Sequence, residues 1–525
     1  MKPRGHLALV LHAHLPYVRH PEQPRQLEEH WLFEAITDCY LPLYGVLREA
    51  AERGSRFRLT LSLSPTLLAM LGDPLLQARY WDYLGRLIQL CAREAARPGD
   101  APQAELACHY RERAKALAGL WRDQLGGDLV GAFAGLARLG TLELMTTAAT
   151  HGYLPLLRSE PAAVRAQLRV ARDAFTAAFG FAPEGLWLPE CGYYPGLEAE
   201  VLAAGYRWVV LDAHALEQGE PRPRAGVYAP VAVGGLAVFG RDLRSAQEVW
   251  SRDRGYPGHP LYREYHRDLG FEADAERLGD FLPAGVRAAP TGIRYHRVTG
   301  GAGAKRPYAP LPALGQAERD ARVFVARRRR HLAELASQVP APILVAPYDA
   351  ELFGHWWYEG PAFLAGVIRE LDTAPEVRTV TLGEYLARHG TAGDQRPAAS
   401  SWGEAGYNAT WLRPETGWAC LELHQAAVEL RDRVRRSQRE PADPWSRRVL
   451  SQAARSLMLA QASDWTFHLG RGGGADYAEA RLRDQFARFR FLTTAVDLGP
   501  REIPRVSALE AMDNLFACLD LRHFA

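Results

Sequence analysis

The sequence predicts an α/β fold, arranged either as an α/β barrel or as a doubly wound sheet. Short apolar runs alternate with helical segments, and polar or Gly/Pro residues bound each run. Continuous apolar character over four to six residues is typical of strands buried on both faces, as in parallel sheets. Alternation of such strands with helices indicates βα units. In chain order, the predicted strands are Leu7–Leu11, Leu59–Leu63, Thr141–Met145, Gly185–Leu188, Trp208–Leu211, Ile343–Ala346 and Val377–Leu382.

A helix is predicted between the third and fourth strands, over Pro161–Phe179. Val164, Leu168 and Phe175 recur at a spacing near 3.6 residues, which places them on one helical face. Gly180 follows directly and is a typical helix stop. We therefore expect this helix to pack one face against the sheet.

Two regions interrupt the alternation. Residues 73–140 are rich in Ala, Leu and Arg and contain no convincing strand, so they predict helices inserted into the barrel. Residues 389–401 are rich in Gly, Ala and Pro, as in a linker. The predicted domains are a catalytic domain over 1–395, with the helical insertion at about 73–140, and a C-terminal helical domain over 396–525.

Helical periodicity dominates the region after the linker and predicts the segments Trp418–Arg436, Pro444–Ala462 and Asp476–Asp497. A run of four arginines, Arg327–Arg330, lies on another predicted helix, and we interpret it as a solvated face.

Composition excludes several functional classes. The 63 Lys and Arg residues against 61 Asp and Glu leave a net charge of +2, which gives no electrostatic reason to expect a nucleic-acid or membrane-surface partner. The only lysines are Lys2, Lys115 and Lys305, which argues against a Schiff-base or P-loop lysine. None of the six cysteines forms a C-x-x-C pair, so reduced thiols and a cytoplasmic location are expected.

Polar residues follow five of the predicted strands. Because the chemistry of α/β barrels takes place at the C-terminal ends of the strands, these residues predict one polar pocket. They are His12 and His14, His151, Glu190 and Cys191, Asp212 and His214, and Asp349 and Glu351.

The histidines of this pocket allow two interpretations. His12 and His14 alternate along an extended chain, so both side chains would point to one side, and His151 would be a third metal ligand. Alternatively, the histidines form hydrogen bonds to a polar substrate. No carboxylate adjoins the pair in a His-x-Asp pattern, which favours hydrogen bonding.

The carboxylates predict glycoside chemistry. Glu190 and Asp349 each closely follow a buried strand, and glycosidases use one carboxylate to attack the anomeric carbon and another to protonate the leaving oxygen. Flat aromatic rings stack on the apolar faces of pyranoses. Tryptophans lie around or after the strand ends, at Trp187, Trp250, Trp356, Trp357, Trp402, Trp411, Trp418 and Trp465.

Five motifs in order make the chain resemble glycoside hydrolase family 57 over almost its full length. They are His12-Ala-His14-Leu-Pro16, Ala-Thr-His151-Gly-Tyr-Leu-Pro, Trp187-Leu-Pro-Glu190-Cys191, Tyr348-Asp349-Ala-Glu351-Leu-Phe-Gly-His355-Trp356-Trp357 and Ala460-Gln-Ala-Ser463-Asp464-Trp465. The Trp-Leu-Pro-Glu-Cys form, Arg241-Asp242 with Gln247-Glu-Val-Trp250, and Ser401-Trp402-Gly403 are most similar to the 1,4-α-glucan branching enzymes of that family.

The resemblance implies an incomplete (β/α)₇ barrel with an inserted helical segment and a C-terminal all-helical domain that closes one side of the cleft. It implies a retaining mechanism with Glu190 as nucleophile and Asp349 as acid/base, and neither a metal nor another cofactor. His12, His14 and His151 would line the donor subsite, Trp402 and Trp411 would be acceptor-side platforms, and Asp464 would reach the cleft. The remaining substrate-binding candidates are Trp187, Cys191, Asp212, Arg241, Asp242, Trp250, Phe271, His355, Trp357 and Trp465.

The implied activity is cleavage of an α-1,4 bond in a linear glucan and transfer of the segment to a 6-hydroxyl. The expected partner is therefore an α-glucan such as amylose or a glycogen precursor, and the expected assembly is a monomer or a weak homo-oligomer. Branching enzymes of the family carry a loop tyrosine over the site, and between Arg241 and Gly258 the only tyrosine is Tyr256. Hydrolysis and 4-α-transfer on the same site therefore remain open, as do a metal-dependent mannosidase or deacetylase and a non-catalytic glucan-binding protein.

Overall fold

A computed structural model describes residues 3–251, 255–283, 285–299, 305–439, 443–471 and 474–525. Its described strands form one sheet in the order β6-β7-β5-β4-β3-β2-β1-β8, and β9 pairs with β1. The strands are β1 (Gly5–Ala13), β2 (Leu59–Leu63), β3 (Leu142–Thr147), β4 (Gly185–Trp187), β5 (Trp208–Leu211), β6 (Val231–Val233), β7 (Leu236–Gly240), β8 (Ile343–Asp349) and β9 (Val377–Thr379).

Seven parallel strands, from β7 through β5, β4, β3, β2 and β1 to β8, make an incomplete (β/α)₇ barrel. Between β7 and β8, the described residues form no strand pairing. There the backbone N–H of Asp242 donates to the carbonyl of Val345 at 2.8 Å. The predicted fold is confirmed, and the site therefore lies at the C-terminal ends of these strands.

All seven predicted strands are present, but two have different ends. Strand β1 continues to Ala13 and β8 continues to Asp349, so His12 and Asp349 are strand residues and are register partners. The sequence analysis missed the antiparallel hairpin of β6 and β7. Its turn is Gly234-Gly235, and both glycines have positive φ, so a Gly-Gly pair between two apolar runs was the available signal.

The helices of the barrel region cover its outer surface. They are α1 (Glu29–Ala35), α2 (Leu41–Glu52), α3 (Pro65–Leu71), α4 (Pro74–Ala95), α5 (Ala101–Gly119), α6 (Leu129–Arg138), α7 (Leu154–Leu157), α8 (Pro161–Phe179), α9 (Leu197–Ala203), α10 (Ala213–Glu217), α11 (Leu243–Trp250), α12 (Leu269–Glu272), α13 (Ala275–Leu278), α14 (Pro310–Leu335), α15 (Gly360–Asp372) and α16 (Leu382–His389). Helices α4, α5 and α6 occupy the predicted insertion, and α8 has its predicted bounds.

The C-terminal region is helical, as predicted. Its helices are α17 (Gly417–Arg439), α18 (Pro444–Ala460), α19 (Ser463–Arg471), α20 (Ala475–Leu498) and α21 (Ile503–Met512). One apolar core joins this region to the barrel, because side chains of α8 such as Val164 and Leu168 belong to the same buried cluster as Leu450 and Leu457 of α18. The helical region is therefore packed directly on the barrel.

The arginine run on α14 is only partly a solvated face. Three of its members are exposed, whereas Arg328 is buried and donates to Ser245 Oγ at 2.8 Å and Glu248 Oε1 at 2.6 Å. The prediction was wrong for Arg328, because its face of the helix turns toward α11. No helix in the described ranges is long and apolar enough to cross a membrane.

Candidate active site

The residue Glu190 lies in a short 3₁₀ turn, Pro189–Cys191, directly after β4. Glu190 and Cys191 have left-handed φ values of 61° and 52°, and His151 after β3 has a φ of 56°. Such values are uncommon for residues other than glycine, and they concentrate at functional sites where the surroundings hold the strain.

Two hydrogen bonds from beyond residue 395 hold the Glu190 carboxylate. Ser463 Oγ donates to Oε1 at 2.9 Å, and the indole Nε1 of Trp402 donates to Oε2 at 2.8 Å. The Trp402 backbone N–H also donates to the Glu190 carbonyl at 2.9 Å. Burial raises the pKa of Glu190, while the two side-chain donors favour its ionised form and oppose that shift.

The carboxyl group of Asp349 has a different environment. Burial raises its pKa well above the usual range, and the negative charges of Glu351 and Glu190 add to the shift, whereas Arg241 opposes it. The site therefore combines a carboxylate held by two donors with a neighbouring carboxyl group that retains its proton. This difference between two neighbouring carboxyl groups is the one that acid and nucleophile roles require.

Three histidines form a layer beside Glu190. His12 Nε2 lies 2.9 Å from His151 Nε2, and the rings of His14 and His151 stack with centroids 3.9 Å apart. Burial lowers the pKa values of His12 and His151 well below the usual range, and the neighbouring histidines contribute to both shifts. These two rings are therefore neutral, and each has one N–H donor and one acceptor nitrogen.

The first turn of α19 reaches this layer. His14 Nε2 contacts Asp464 Oδ2 at 3.0 Å, and His14 Nδ1 contacts Ser64 Oγ at 2.9 Å. Burial alone would raise the pKa of Asp464, but the charge and hydrogen bond of His14 outweigh it and lower the pKa to about 2. Asp464 therefore brings a fixed negative charge to the strand ends.

A second polar group adjoins Glu190 on the β5 side. Arg241 Nη1 donates to Asp212 Oδ2 at 2.9 Å, and its guanidinium lies 5.7 Å from the centre of the Trp402 ring. Trp187 fills the space between, with ring centroids 5.1 Å from both His12 and Trp402. Cys191 is buried, and its pKa is raised well above the usual range by burial and by Asp212.

Several predicted binding residues have buried side chains. Asp242 caps α11 through the backbone N–H of Ser245. Trp411 is only 1% exposed and stacks on Tyr153, and the Trp465 indole donates to the Leu459 carbonyl. Trp357 is also buried, beside Phe363.

The other predicted binding residues lie nearer the surface. Phe271 is 58% exposed, and Trp250 is half-buried with its ring 5.9 Å from that of Trp356. His355 is half-buried, with Nδ1 3.9 Å from Glu34 Oε2. The Tyr256 hydroxyl donates to Glu248 at 3.2 Å.

Comparison with known proteins decides the family. The family description "Glycosyl hydrolase family 57" matches residues 8–278, just over half of the chain. The chain belongs to this family. A second description, "1,4-alpha-glucan branching enzyme, C-terminal", matches residues 422–524.

Members of family 57 with similar sequences or structures carry two kinds of name. A branching enzyme from Thermococcus kodakarensis is 31% identical, over 98% of this chain and 77% of the relative. The crystal structure of the alpha-amylase AmyC from Thermotoga maritima is 34% identical, with a TM-score of 0.92 over 99% of each chain. A family 57 branching enzyme from Pyrococcus horikoshii is 32% identical, with a TM-score of 0.88 over 99% of this chain and 97% of that one.

In this family 57 chain, one group of described residues has the composition of a metal site. Ligand atoms of His14, His151 and Asp464 lie within 4.8 Å of one another. However, both nitrogens of His151 already have partners, Ser463 Oγ at 2.8 Å and His12 Nε2 at 2.9 Å. A histidine ligand needs a free lone pair on one nitrogen, so this hydrogen bonding competes with a metal.

The sequence analysis missed three residues that support this site. Ser62 and Ser64 contact the histidines from the end of β2, and Ser463 contacts Glu190. The serines of β2 have a signal, because they end a predicted strand next to that of His12. Ser463 has no such signal, because its contact spans 273 residues of sequence.

Proposed function

We propose that this chain is a 1,4-α-glucan branching enzyme that works by retaining double displacement. The observation that carries the proposal is the pair of unlike carboxyl groups at the strand ends, Glu190 held by two donors and Asp349 with a raised pKa. The named relatives and the match of the C-terminal region support branching as the outcome.

In the first step, the Glu190 carboxylate attacks C1 of the donor sugar. The C1–O4 bond breaks, and Asp349 transfers its proton to the departing O4. In the second step, Asp349 accepts a proton from a 6-hydroxyl of the acceptor glucan, and that oxygen attacks C1 and releases Glu190. Two inversions at C1 retain the α configuration and form an α-1,6 branch.

The neutral histidines and Asp464 are proposed to bind sugar hydroxyls of the donor. Hydroxyl groups can donate to Asp464 and can accept from or donate to imidazole nitrogens. We also propose that the enzyme acts in the cytoplasm, in glycogen-type synthesis, as a monomer or weak homo-oligomer. All six cysteines are unpaired, which supports a reducing compartment.

Hydrolysis is the second candidate, favoured by the similarity to AmyC. The test is incubation with amylose, followed by proton NMR of the anomeric region and by measurement of reducing ends. Branching produces α-1,6 signals at a constant number of reducing ends, because each cleaved bond is replaced by a new one. Hydrolysis adds one reducing end per cleavage and produces no α-1,6 signal, and this result would refute branching.

Substitution of the proposed nucleophile tests the mechanism. Glu190→Gln should abolish turnover of amylose and preserve glucan binding, because the amide fills the same space without a negative charge. Glu105→Gln is the matched control, since Glu105 is exposed on α5. Substantial turnover by Glu190→Gln would mean that Glu190 is not the nucleophile.

A further inference from the structure

A continuous hydrogen-bonded chain of side chains leads from Glu190 into the barrel. Glu190 Oε1 contacts Ser463 Oγ at 2.9 Å, and Ser463 Oγ contacts His151 Nδ1 at 2.8 Å. His151 Nε2 then contacts His12 Nε2 at 2.9 Å, and His12 Nδ1 contacts Ser62 Oγ at 3.0 Å. The three inner members, Ser62, His12 and His151, are buried, and Ser463 is only 1% exposed.

The chain has one consistent direction when Glu190 is ionised. A carboxylate only accepts, so Ser463 donates to it and must accept from the Nδ1–H of His151. His151 is neutral and therefore accepts at Nε2, from the Nε2–H of His12. His12 in turn accepts at Nδ1 from the hydroxyl of Ser62. Every donor and acceptor in the chain is thus paired.

We propose that Ser463 is a positioning residue that holds the Glu190 carboxylate for attack and fixes His151 and His12 each in a single tautomer. This proposal rests on the proposed role of Glu190 as nucleophile. Ser463 is the first residue of α19, and its backbone N–H donates to the His151 carbonyl at 3.0 Å. Backbone and side chain of Ser463 therefore both contact His151, which leaves the hydroxyl little freedom to choose another partner.

The tautomers matter for sugar binding as well as for the nucleophile. Without Ser463, the Nδ1–H of His151 loses its acceptor, and the proton can move to Nε2, where it would face the N–H of His12. Glu190 would also lose one of its two side-chain donors and keep only Trp402. Both effects originate from one hydroxyl group of the C-terminal region.

The kinetic test compares Ser463→Ala with Ser463→Thr, which restores a hydroxyl. Ser463→Ala should lower kcat/KM on amylose by about 10- to 100-fold, mainly through kcat, and should move the acid limb of the pH profile up by about one pH unit. The other ionisable groups that act on Glu190 are Asp464, His14, His151 and Asp349, and all remain in this variant. Ser463→Thr should recover most of both changes.

The matched control is Ser456→Ala, the same substitution at a fully buried serine of α18. It should leave the pH profile unchanged. If Ser463→Ala leaves the acid limb in place and costs no more than Ser456→Ala, the proposal is overturned. If Glu190→Gln is active, it is instead the proposed nucleophile that fails, so the two failures are distinguishable.

A spectroscopic measurement keeps the test independent of activity and of how well the threonine fits. Long-range proton–nitrogen NMR of ¹⁵N-histidine-labelled protein should show His151 protonated at Nδ1 and His12 protonated at Nε2. Ser463→Ala should change the His151 pattern, and Ser456→Ala should not. The opposite tautomers in the unsubstituted protein, or an unchanged pattern in Ser463→Ala, would refute the chain.

Discussion

Substitution of Glu351 by Gln should make the protein more stable at neutral and alkaline pH. Glu351 is buried directly after β8, and its Oε1 accepts from the Tyr40 hydroxyl and from the backbone N–H of His14 at 3.2 Å. Burial raises its pKa from 4.5 to about 7, although the Tyr40 hydrogen bond opposes the shift. A glutamine oxygen can accept the same two hydrogen bonds without a charge.

The sign and size of the effect follow from this pKa. Because the folded protein disfavours the ionised form, the contribution is fully present below the unfolded pKa near 4.5 and is lost as the pH rises through 7. A shift of that size corresponds to about 3 kcal/mol at high pH. Between pH 5 and pH 8, Glu351→Gln should therefore gain about 2–3 kcal/mol relative to the unsubstituted protein.

The assay is urea unfolding of both proteins at several pH values from 5 to 8, with Glu105→Gln as the control for loss of one exposed carboxylate. The difference between Glu351→Gln and the unsubstituted protein should grow with pH, and the control should show a constant difference. Parallel pH dependences for Glu351→Gln and the unsubstituted protein would refute the reasoning.

Two further predictions concern the metal and the C-terminal region. Activity should survive dialysis against EDTA, since the His14, His151 and Asp464 group is already hydrogen-bonded internally; loss of activity that zinc or manganese restores would contradict this. A fragment of residues 1–395 should be inactive and poorly soluble, because it lacks Trp402 and Ser463 and exposes the barrel side of a shared apolar core. A soluble, fully active fragment would show that the region is dispensable.

Local sequence patterns are sufficient to predict the barrel strands and the helices of the insertion. Buried parallel strands appear as apolar runs, and the polar residues that follow these runs include His12, Glu190 and Asp349. The hairpin of β6 and β7 was missed because each strand is only three to five residues long. Periodicity could not show that Arg328 faces α11, because that depends on which helix packs there.

Contacts distant in sequence set the limit of prediction at the site. The motif around Ser463 was visible, but its hydrogen bond to Glu190 depends on how α19 docks onto the barrel. Trp411 illustrates the same limit in the other direction. It was predicted as a sugar platform, and the structure stacks it on Tyr153 inside the protein, so in this conformation it offers no open face to a ligand.

The order of residues along the chain has a consequence for synthesis. A ribosome makes Glu190 and Asp349 well before it makes Trp402 and Ser463, the two residues whose side chains hold Glu190. Domains fold largely as they emerge, N-terminal part first. A nascent chain that has completed only its barrel therefore carries both carboxyl groups with neither donor in place. The last quarter of translation completes the active site, and a truncated product would bear an unheld nucleophile.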